Sequence, residues 1–216
     1  MGFGNSKPDI IERNNIKTER SDKRGTMNDD ATIEYIQKAK DCTCYIINEN
    51  NNSTGWFVCK IPYTKKKNLF LNVLITCEHV LTQDIVFSND NIKLKVNDKE
   101  TIISLEKERK IWSNKEIYYS CLEILKEDNI LKYYQLDVDV LNNKVNNDIY
   151  LNKNIIIFSI MNKERGHCDG LINKIDKSLF IHDCNTYPGS SGGVIVNKNN
   201  NLVIGMHIGD YKVRIQ

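Results

Sequence analysis

From Thr43 onwards, nearly every apolar segment of the chain is short, rich in β-branched residues and followed by a polar turn. Short segments of this composition predict β-strands, because helices need longer periodic segments. Many short strands in succession favour a sandwich or barrels over β-α-β units, and two sets of about six indicate a pair of β-barrels. We expect strands at Thr43–Ile47, Gly55–Ile61, Leu69–Thr76, Ile92–Val96, Ile102–Leu105, Tyr118–Leu125, Tyr133–Leu136, Ile155–Ile160, His167–Ile175, Leu179–His182, Val194–Val196 and Leu202–His207.

The N-terminal part of the chain has a different character. Residues 1–27 are polar, charged and aperiodic, which predicts a disordered tail. Residues 28–40 predict a short helix, because Ile36 and Ala39 share one face and a polar residue at the start can cap it. We expect this helix to pack on the domain that follows.

The first residues also fit the pattern for N-myristoylation of Gly2, and several basic residues follow. A myristoyl chain together with basic charge would hold the protein on a membrane surface. Phe3 beside the acceptor glycine and the acidic residues within the tail favour a plain tail instead. Both interpretations are open at this point.

The composition is that of an ordinary globular chain. Of its 216 residues, 40% are hydrophobic and 27% are charged, and the net charge is only +2. Nucleic acid is therefore not an expected partner. Seven cysteines without a Cys-x-x-Cys pair predict free thiols in a reducing compartment, rather than disulfides or a zinc site at Cys42 and Cys44. No stretch reaches the ~20 apolar residues that span a bilayer. We therefore expect a cytoplasmic protein, peripheral to a membrane if Gly2 is acylated.

The stretch Thr186–Gly193 reads Thr-Tyr-Pro-Gly-Ser-Ser-Gly-Gly and precedes the short strand at Val194–Val196. Glycines on both sides of a serine allow a tight turn and the close approach of another backbone. Such a turn can expose a serine hydroxyl beside two backbone N–H groups, which is what nucleophilic catalysis requires. From these residues alone, a plain Gly/Ser loop between strands is the alternative.

A candidate base precedes this stretch in the chain. His79 follows the hydrophobic strand that ends at Thr76, and a lone histidine in such a place is usually structural. The hairpin strand with Gly55 before it and the glycine-flanked serine after it favour a catalytic role. Histidine followed by serine is one known chain order for this chemistry.

Three ordered motifs, Ser53–Val58, Leu74–Leu81 and Pro188–Gly193, resemble those of the trypsin-like (chymotrypsin-fold) serine peptidases. The resemblance extends from residue 41 to the end of the chain. It implies two six-stranded antiparallel β-barrels with the active site between them. The first barrel, over residues 41–130, would carry the histidine, and the second, over residues 131–216, would carry the serine.

The resemblance also assigns roles to individual residues. It implies that Ser191 is the nucleophile and His79 the general base, and that the N–H groups of Gly189 and Ser191 form the oxyanion hole. It implies a protein or peptide substrate and no metal or cofactor.

The third member of the triad departs from the family pattern. The family has an aspartate at the start of a strand between the histidine and the serine, and the closest match here, Tyr118–Ile124, begins with a tyrosine. Replacing that carboxylate by an amide lowers turnover about 10⁴-fold in a well-studied serine protease. Glu116 has the required charge and the same strand-face parity, and it ranks above Asp137 and Asp139. Three alternatives remain: Glu116 is the acid, a Ser–His dyad works alone, or the chain is inactive.

The specificity pocket shows a finer resemblance. Thr186 and His207 look like the threonine and histidine with which the glutamyl endopeptidases of this fold bind a glutamate carboxylate. A hydroxyl and an imidazole can both donate hydrogen bonds to a carboxylate. A buried strand histidine is the alternative for His207. After its strand the family usually continues with a further strand and a C-terminal helix, and we expect that helix to be absent here.

The leading functional hypothesis is therefore a serine endopeptidase that works through an acyl-enzyme and cleaves after acidic residues. The alternative is a catalytically inactive trypsin-like pseudoprotease that binds peptides or proteins in its cleft.

Overall fold

The computed structural model describes residues 30–47, 53–63, 66, 68–88, 91–105, 109–141, 147–161, 164–176, 179–209 and 212–214. The predicted disordered tail and the acylation motif at Gly2 lie outside these described residues.

The helix predicted over residues 28–40 is α1, which spans Asp30–Cys42. Its inward face includes Ala39, which is buried. The hydroxyl of Thr43 donates a hydrogen bond to the Ala39 carbonyl at 2.6 Å and so satisfies a carbonyl of the last turn. The Tyr35 hydroxyl donates to the Lys198 carbonyl at 3.0 Å. The helix is thereby bound to a turn in the C-terminal half of the chain.

The next part of the chain forms a curled antiparallel sheet of seven strands in the order β5-β4-β1-β2-β3-β7-β6. The helix α2 (Gln83–Phe87) lies between β3 and β4. The strands are β1 (Thr43–Ile47), β2 (Ser53–Pro62), β3 (Phe70–Cys77), β4 (Asn91–Val96), β5 (Lys99–Ser104), β6 (Ile111–Asn114) and β7 (Tyr119–Glu123).

The remainder forms a closed six-stranded barrel in the order β10-β13-β12-β11-β8-β9. It follows the short helix α3 (Val138–Leu141) and 3₁₀ turns at Lys126–Asp128 and Asn147–Tyr150. The strands are β8 (Asn154–Met161), β9 (Glu164–Asp176), β10 (Leu179–His182), β11 (Val194–Asn197), β12 (Leu202–Gly209) and β13 (Lys212–Arg214). The predicted all-β architecture of two packed antiparallel units is confirmed.

Local features differ from the sequence-based expectation. The first unit has seven strands rather than six, because β6 adds a strand that we had not predicted. The strand predicted at Tyr133–Leu136 is wrong, since this segment makes only two isolated parallel bridges, Val58 with Tyr134 and Leu136 with Val203. The segment passes from the first sheet to the second barrel and makes one bridge with each, so it forms a ladder with neither.

The apolar residues form two clusters. The larger fills the first sheet around Trp56 and Leu74 and continues to Phe158 and Met206 of the second barrel, so the two units share a core. The smaller lies inside the second barrel around Phe180. Among the described helices, none has the length and apolar character needed to cross a membrane.

Candidate active site

Thr54 of β2 connects the two units at the predicted site. It is fully buried. Its N–H donates to the Ser191 carbonyl at 3.2 Å, and its hydroxyl donates to the Gly189 carbonyl at 3.1 Å. The same hydroxyl accepts from the Ile160 N–H at 2.7 Å, and the Thr54 carbonyl accepts from the Thr76 hydroxyl at 2.7 Å. Thr54 therefore connects the loop formed by Thr186–Gly193, the Ser191 loop, to both β8 and the end of β3.

The structure distinguishes the two adjacent serines of this loop. Ser190 is 1% exposed, and its hydroxyl oxygen accepts hydrogen bonds from the Tyr187 N–H at 3.1 Å and the Ser159 hydroxyl at 3.3 Å. Ser191 is only partly buried. Ser190 thus stabilises the loop from inside, while Ser191 is the more exposed of the two serines.

Glycine is required next to Ser191. Gly192 has φ +84°, a left-handed conformation, and its N–H donates to the His207 carbonyl at 2.8 Å. A β-carbon at this position would overlap the Thr54 carbonyl oxygen and lie 2.7 Å from the Thr76 hydroxyl. Only glycine allows the loop to lie this close to β2.

The predicted oxyanion hole consists of the N–H groups of Gly189 and Ser191. Gly189 has φ +95°, and the Ser190 N–H between the two is already bonded to the Tyr187 carbonyl at 3.0 Å. Within the described part of the chain, neither the Gly189 N–H nor the Ser191 N–H donates to a protein acceptor. Their assignment as an oxyanion hole stays a prediction.

His79 lies in the turn that follows β3, directly after the residues that contact Thr54 and the serine loop. The thiol of Cys77, two residues earlier, contacts the His207 carbonyl at 3.4 Å, and that carbonyl also binds the Gly192 N–H. The His79 turn and the Ser191 loop are therefore neighbours at the junction of the two units. Among the described residues, no hydrogen bond joins the His79 ring to Ser191.

The pKa of His79 is shifted below its usual value by partial burial, and the negative charge of Glu78 offsets part of this shift. Glu78 is 8% exposed although it carries a charge. A lowered pKa keeps the imidazole neutral near pH 7, the form that accepts a proton.

Tyr118, at the position where the resemblance places the aspartate, contacts the His79 turn through its backbone. Tyr118 has φ +58°, its side chain is 50% exposed, and its carbonyl accepts from the Glu78 N–H at 3.1 Å. Glu116 is exposed in the turn between β6 and β7, where its N–H donates to the Asn114 side chain at 2.9 Å. The bond between Tyr118 and Glu78 places the β6–β7 turn beside the His79 turn. The assignment of Glu116 as the acid stays a prediction.

His207 of β12 belongs to a buried pair that we had not predicted. Its Nδ1 lies 3.2 Å from Nε2 of His182, and the Cys184 N–H donates to Nδ1 of His182 at 3.2 Å. His182 therefore carries its proton on Nε2 and donates it to His207, which in turn carries its own proton on Nε2. Burial lowers the pKa of each histidine to about 4, so both rings are neutral at pH 7.

Thr186 is half-buried in the segment between β10 and the Ser191 loop. Its predicted role and that of His207 in a glutamate pocket remain predictions. Within the described ranges, no group of three or more His, Cys, Asp or Glu side chains is placed to hold a metal ion.

The sequence analysis missed the roles of Thr54, Ser159, Ser190 and His182. The sequence did contain a signal for Thr54, because this residue lies directly before Gly55 within the motif that resembles the peptidases. Nothing in the sequence indicated the contact between His182 and His207.

Comparisons with known proteins find similarity in the fold but not in the sequence. No model of a known protein family matches the sequence, and no curated protein matches it. The fold is similar to that of Deg5, with a TM-score of 0.62 and 13% identity, over 86% of this chain and 88% of that one.

The fold is also similar to that of the Rv3671c protease in its inactive form, with a TM-score of 0.60 and 11% identity, over 87% of this chain and 90% of that one. A serine-to-alanine mutant of Rv3671c from M. tuberculosis gives a TM-score of 0.59 and 12% identity, over 87% and 88%. The chain therefore has the trypsin-like double-barrel fold. At these identities the likeness concerns the fold and does not extend to a specificity pocket.

Proposed function

We propose that this chain is a serine endopeptidase. The observation that carries the proposal is the geometry of the Ser191 loop. Ser191 is accessible, its own N–H and that of Gly189 have no protein acceptor among the described residues, and the His79 turn is adjacent. This combination matches the needs of acyl transfer, since a nucleophile, a base and oxyanion donors must meet at one point.

In the proposed reaction, the Ser191 hydroxyl attacks the carbonyl carbon of the peptide bond while His79 takes its proton. The N–H groups of Gly189 and Ser191 stabilise the oxyanion. His79 then protonates the leaving amine, which produces an acyl-enzyme and frees the first product. Water deprotonated by His79 hydrolyses the ester and restores Ser191.

We further propose that a glutamate supports His79. Glu116 is the candidate from the strand pattern, whereas Glu78 is favoured by its burial and by its electrostatic effect on His79. Glu116→Gln and Glu78→Gln form a matched pair, because each removes one charge with little change in volume. The variant that removes the supporting charge should lower the labelling rate of Ser191 and shift the acid limb of its pH profile to lower pH. If neither variant changes the rate, a dyad operates.

A preference for an acidic residue before the scissile bond is the second part of the proposal. The tautomers of the buried pair leave the Nε2–H of His207 as a hydrogen-bond donor, and a carboxylate is a strong acceptor for it. His207→Ala should selectively reduce cleavage after glutamate. His167→Ala is the control, since His167 is an exposed histidine of the same barrel. A uniform loss over all substrates with His207→Ala would contradict the assignment.

A fluorophosphonate probe tests the proposed activity directly, because it reacts covalently with activated serines. The protein should be labelled, and Ser191→Ala should abolish labelling. Ser190→Ala is the matched control: it removes the neighbouring hydroxyl and should leave labelling at one site per chain, at a reduced rate. Absence of labelling, or equal labelling of the Ser191→Ala variant, refutes the proposed serine endopeptidase activity.

A second candidate function is a pseudoprotease that binds peptides in the same cleft. The observation in its favour is Tyr118, a tyrosine without a carboxylate at the position where the resemblance places the aspartate of the triad. This alternative predicts peptide binding without labelling by the probe, with equal affinity in the Ser191→Ala variant.

A further inference from the structure

Two of the seven cysteines lie together in the second barrel, close to the buried histidine pair. Cys168 is on β9, and Cys184 follows β10. Cys168, Gly170 and Ile172 alternate along β9 and so share one face. A β-carbon on Gly170 would lie 2.5 Å from the sulfur of Cys184, so this side chain fills the space that the glycine leaves free. Cys168 is two residues away on the same face.

Both side chains belong to the apolar interior of the second barrel, where Cys168 packs against the buried cluster that contains Cys184. The neighbouring Cys168 thiol and burial together raise the pKa of the Cys184 thiol well above its usual range. No disulfide joins them, and both are free cysteines.

The backbone holds this contact in place. The Leu171 N–H donates to the Asp183 carboxylate at 2.6 Å, and the Asp183 N–H donates to the Leu171 carbonyl at 3.3 Å. These two bonds bind the Cys184 segment to β9. They keep the Cys184 sulfur over Gly170, two residues from Cys168 on the same face, and a disulfide requires the two sulfurs to approach to about 2.05 Å.

The two thiols differ in access to solvent. Cys184 is fully buried, whereas Cys168 is partly exposed. A small oxidant therefore meets Cys168 first, and Cys184 is in position to react with the oxidised sulfur.

We propose that Cys168 and Cys184 form an oxidation site at which a hydroperoxide creates a disulfide that alters the neighbouring pocket. In the first step, the Cys168 sulfur attacks the peroxide, its S–H proton passes to the departing oxygen, and water or an alcohol leaves. In the second, the Cys184 sulfur attacks the sulfenic acid, an S–S bond forms, and hydroxide leaves with the Cys184 proton as water. The two thiols lose two electrons and the peroxide gains them.

The consequence for the pocket follows from the contacts of Cys184, and it rests on the proposed function. The Cys184 N–H fixes the tautomer of His182, which in turn fixes the proton of His207. Cys184 is also two residues before Thr186 in the chain. A disulfide that draws Cys184 toward β9 should displace His182, His207 and Thr186 from their present positions. Oxidation should therefore lower cleavage after glutamate several-fold.

Mass spectrometry tests the covalent part. After treatment of the full chain with hydrogen peroxide and alkylation of free thiols, peptide mapping should find a Cys168–Cys184 crosslink and the loss of two hydrogen atoms. Cys59→Ser is the control, because Cys59 is also partly exposed and should be dispensable. In Cys184→Ser, the sulfenic acid on Cys168 should persist and react with dimedone. Sulfinic or sulfonic acid at Cys168 without a crosslink in the unmutated chain overturns the proposal, as does a crosslink to another cysteine instead.

A second measurement separates this proposal from the proposed function. Cleavage after glutamate should fall on oxidation and recover with dithiothreitol, and Cys168→Ser should be insensitive to peroxide. A crosslink without any change in cleavage overturns the effect on the pocket. If the protein has no peptidase activity but still forms the crosslink, the oxidation site stands and the peptidase function fails.

Discussion

Replacing Thr54 by valine should detach the Ser191 loop from its support while leaving the shape of the core nearly unchanged. Valine has almost the volume of threonine, but it cannot make the 3.1 Å hydrogen bond to the Gly189 carbonyl or accept the 2.7 Å bond from the Ile160 N–H. The backbone bonds of Thr54 to Ser191 and from Thr76 remain possible. The perturbation is therefore confined to one hydroxyl.

The expected magnitude follows from these two bonds. Each buried hydrogen bond contributes about 0.5–1.5 kcal/mol net, and a buried donor left without an acceptor costs about 1–3 kcal/mol. The Ile160 N–H becomes such a donor, since Ile160 is 1% exposed. The free energy of unfolding should fall by about 2–4 kcal/mol. Thr54→Ser keeps the hydroxyl and removes one buried methyl group, which costs about 1 kcal/mol.

Chemical denaturation and labelling by the fluorophosphonate probe measure the two effects. Thr54→Val should unfold at lower denaturant than Thr54→Ser and should label at least about tenfold more slowly, since small displacements of a nucleophile cost large factors in rate. If the valine variant is as stable as the serine variant and labels as fast, the hydroxyl does not position the loop. The reasoning from the Thr54 contacts is then wrong.

Three further predictions concern stability. Gly192→Ala should lower the free energy of unfolding by at least about 2 kcal/mol, measured by denaturation, because the new β-carbon meets the Thr54 carbonyl and φ is positive. Acidification from pH 7 to 5 should cost about 2 kcal/mol per buried histidine, because the folded pKa of His182 and His207 is about 4 and the unfolded value is ~6.5. This stability is complete above the unfolded pKa and is lost as the pH falls, so a variant with glutamine at both positions should show a flatter pH profile in thermal melts. Arg109→Met should cost about 3–5 kcal/mol, because it leaves the buried carboxylate of Asp128, which the guanidinium binds at 2.6 Å, without its charged partner, although the bond from the Leu125 N–H remains; a cost under about 1 kcal/mol would contradict this.

The parts of the fold that could be predicted are those where one local pattern decides the structure. β3 and β8 each contain a short apolar run rich in β-branched residues, at 73–75 and 155–158, and the burial of these runs follows from that composition. β6 escaped prediction because Ile111–Asn114 is short and only half-buried. Its pairing with β7 is a tertiary effect.

The contacts of the site depend on geometry that the sequence does not express. Both members of the histidine pair lie beside register shifts, between Ile181 and His182 in β10 and between His207 and Gly209 in β12. A bulge changes the face on which the following side chains lie, so strand parity cannot predict where these rings point. Motif spacing predicts roles for Ser191 and His79, whereas the contacts that hold the Ser191 loop, such as those of Thr54, come from residues distant in the chain.

The two candidate functions make different demands on the Ser191 loop. A protein that only binds peptides needs a groove, and a loop with every N–H paired would be more stable. Here the Ser190 N–H is bonded within the loop, while the N–H groups on either side have no acceptor among the described residues. Two positive-φ glycines, Gly189 and Gly192, hold the loop in this form, although glycine increases the entropy that folding must overcome. An oxyanion that bonds to both N–H groups gives this arrangement a use, and so the geometry of the loop favours catalysis over binding alone.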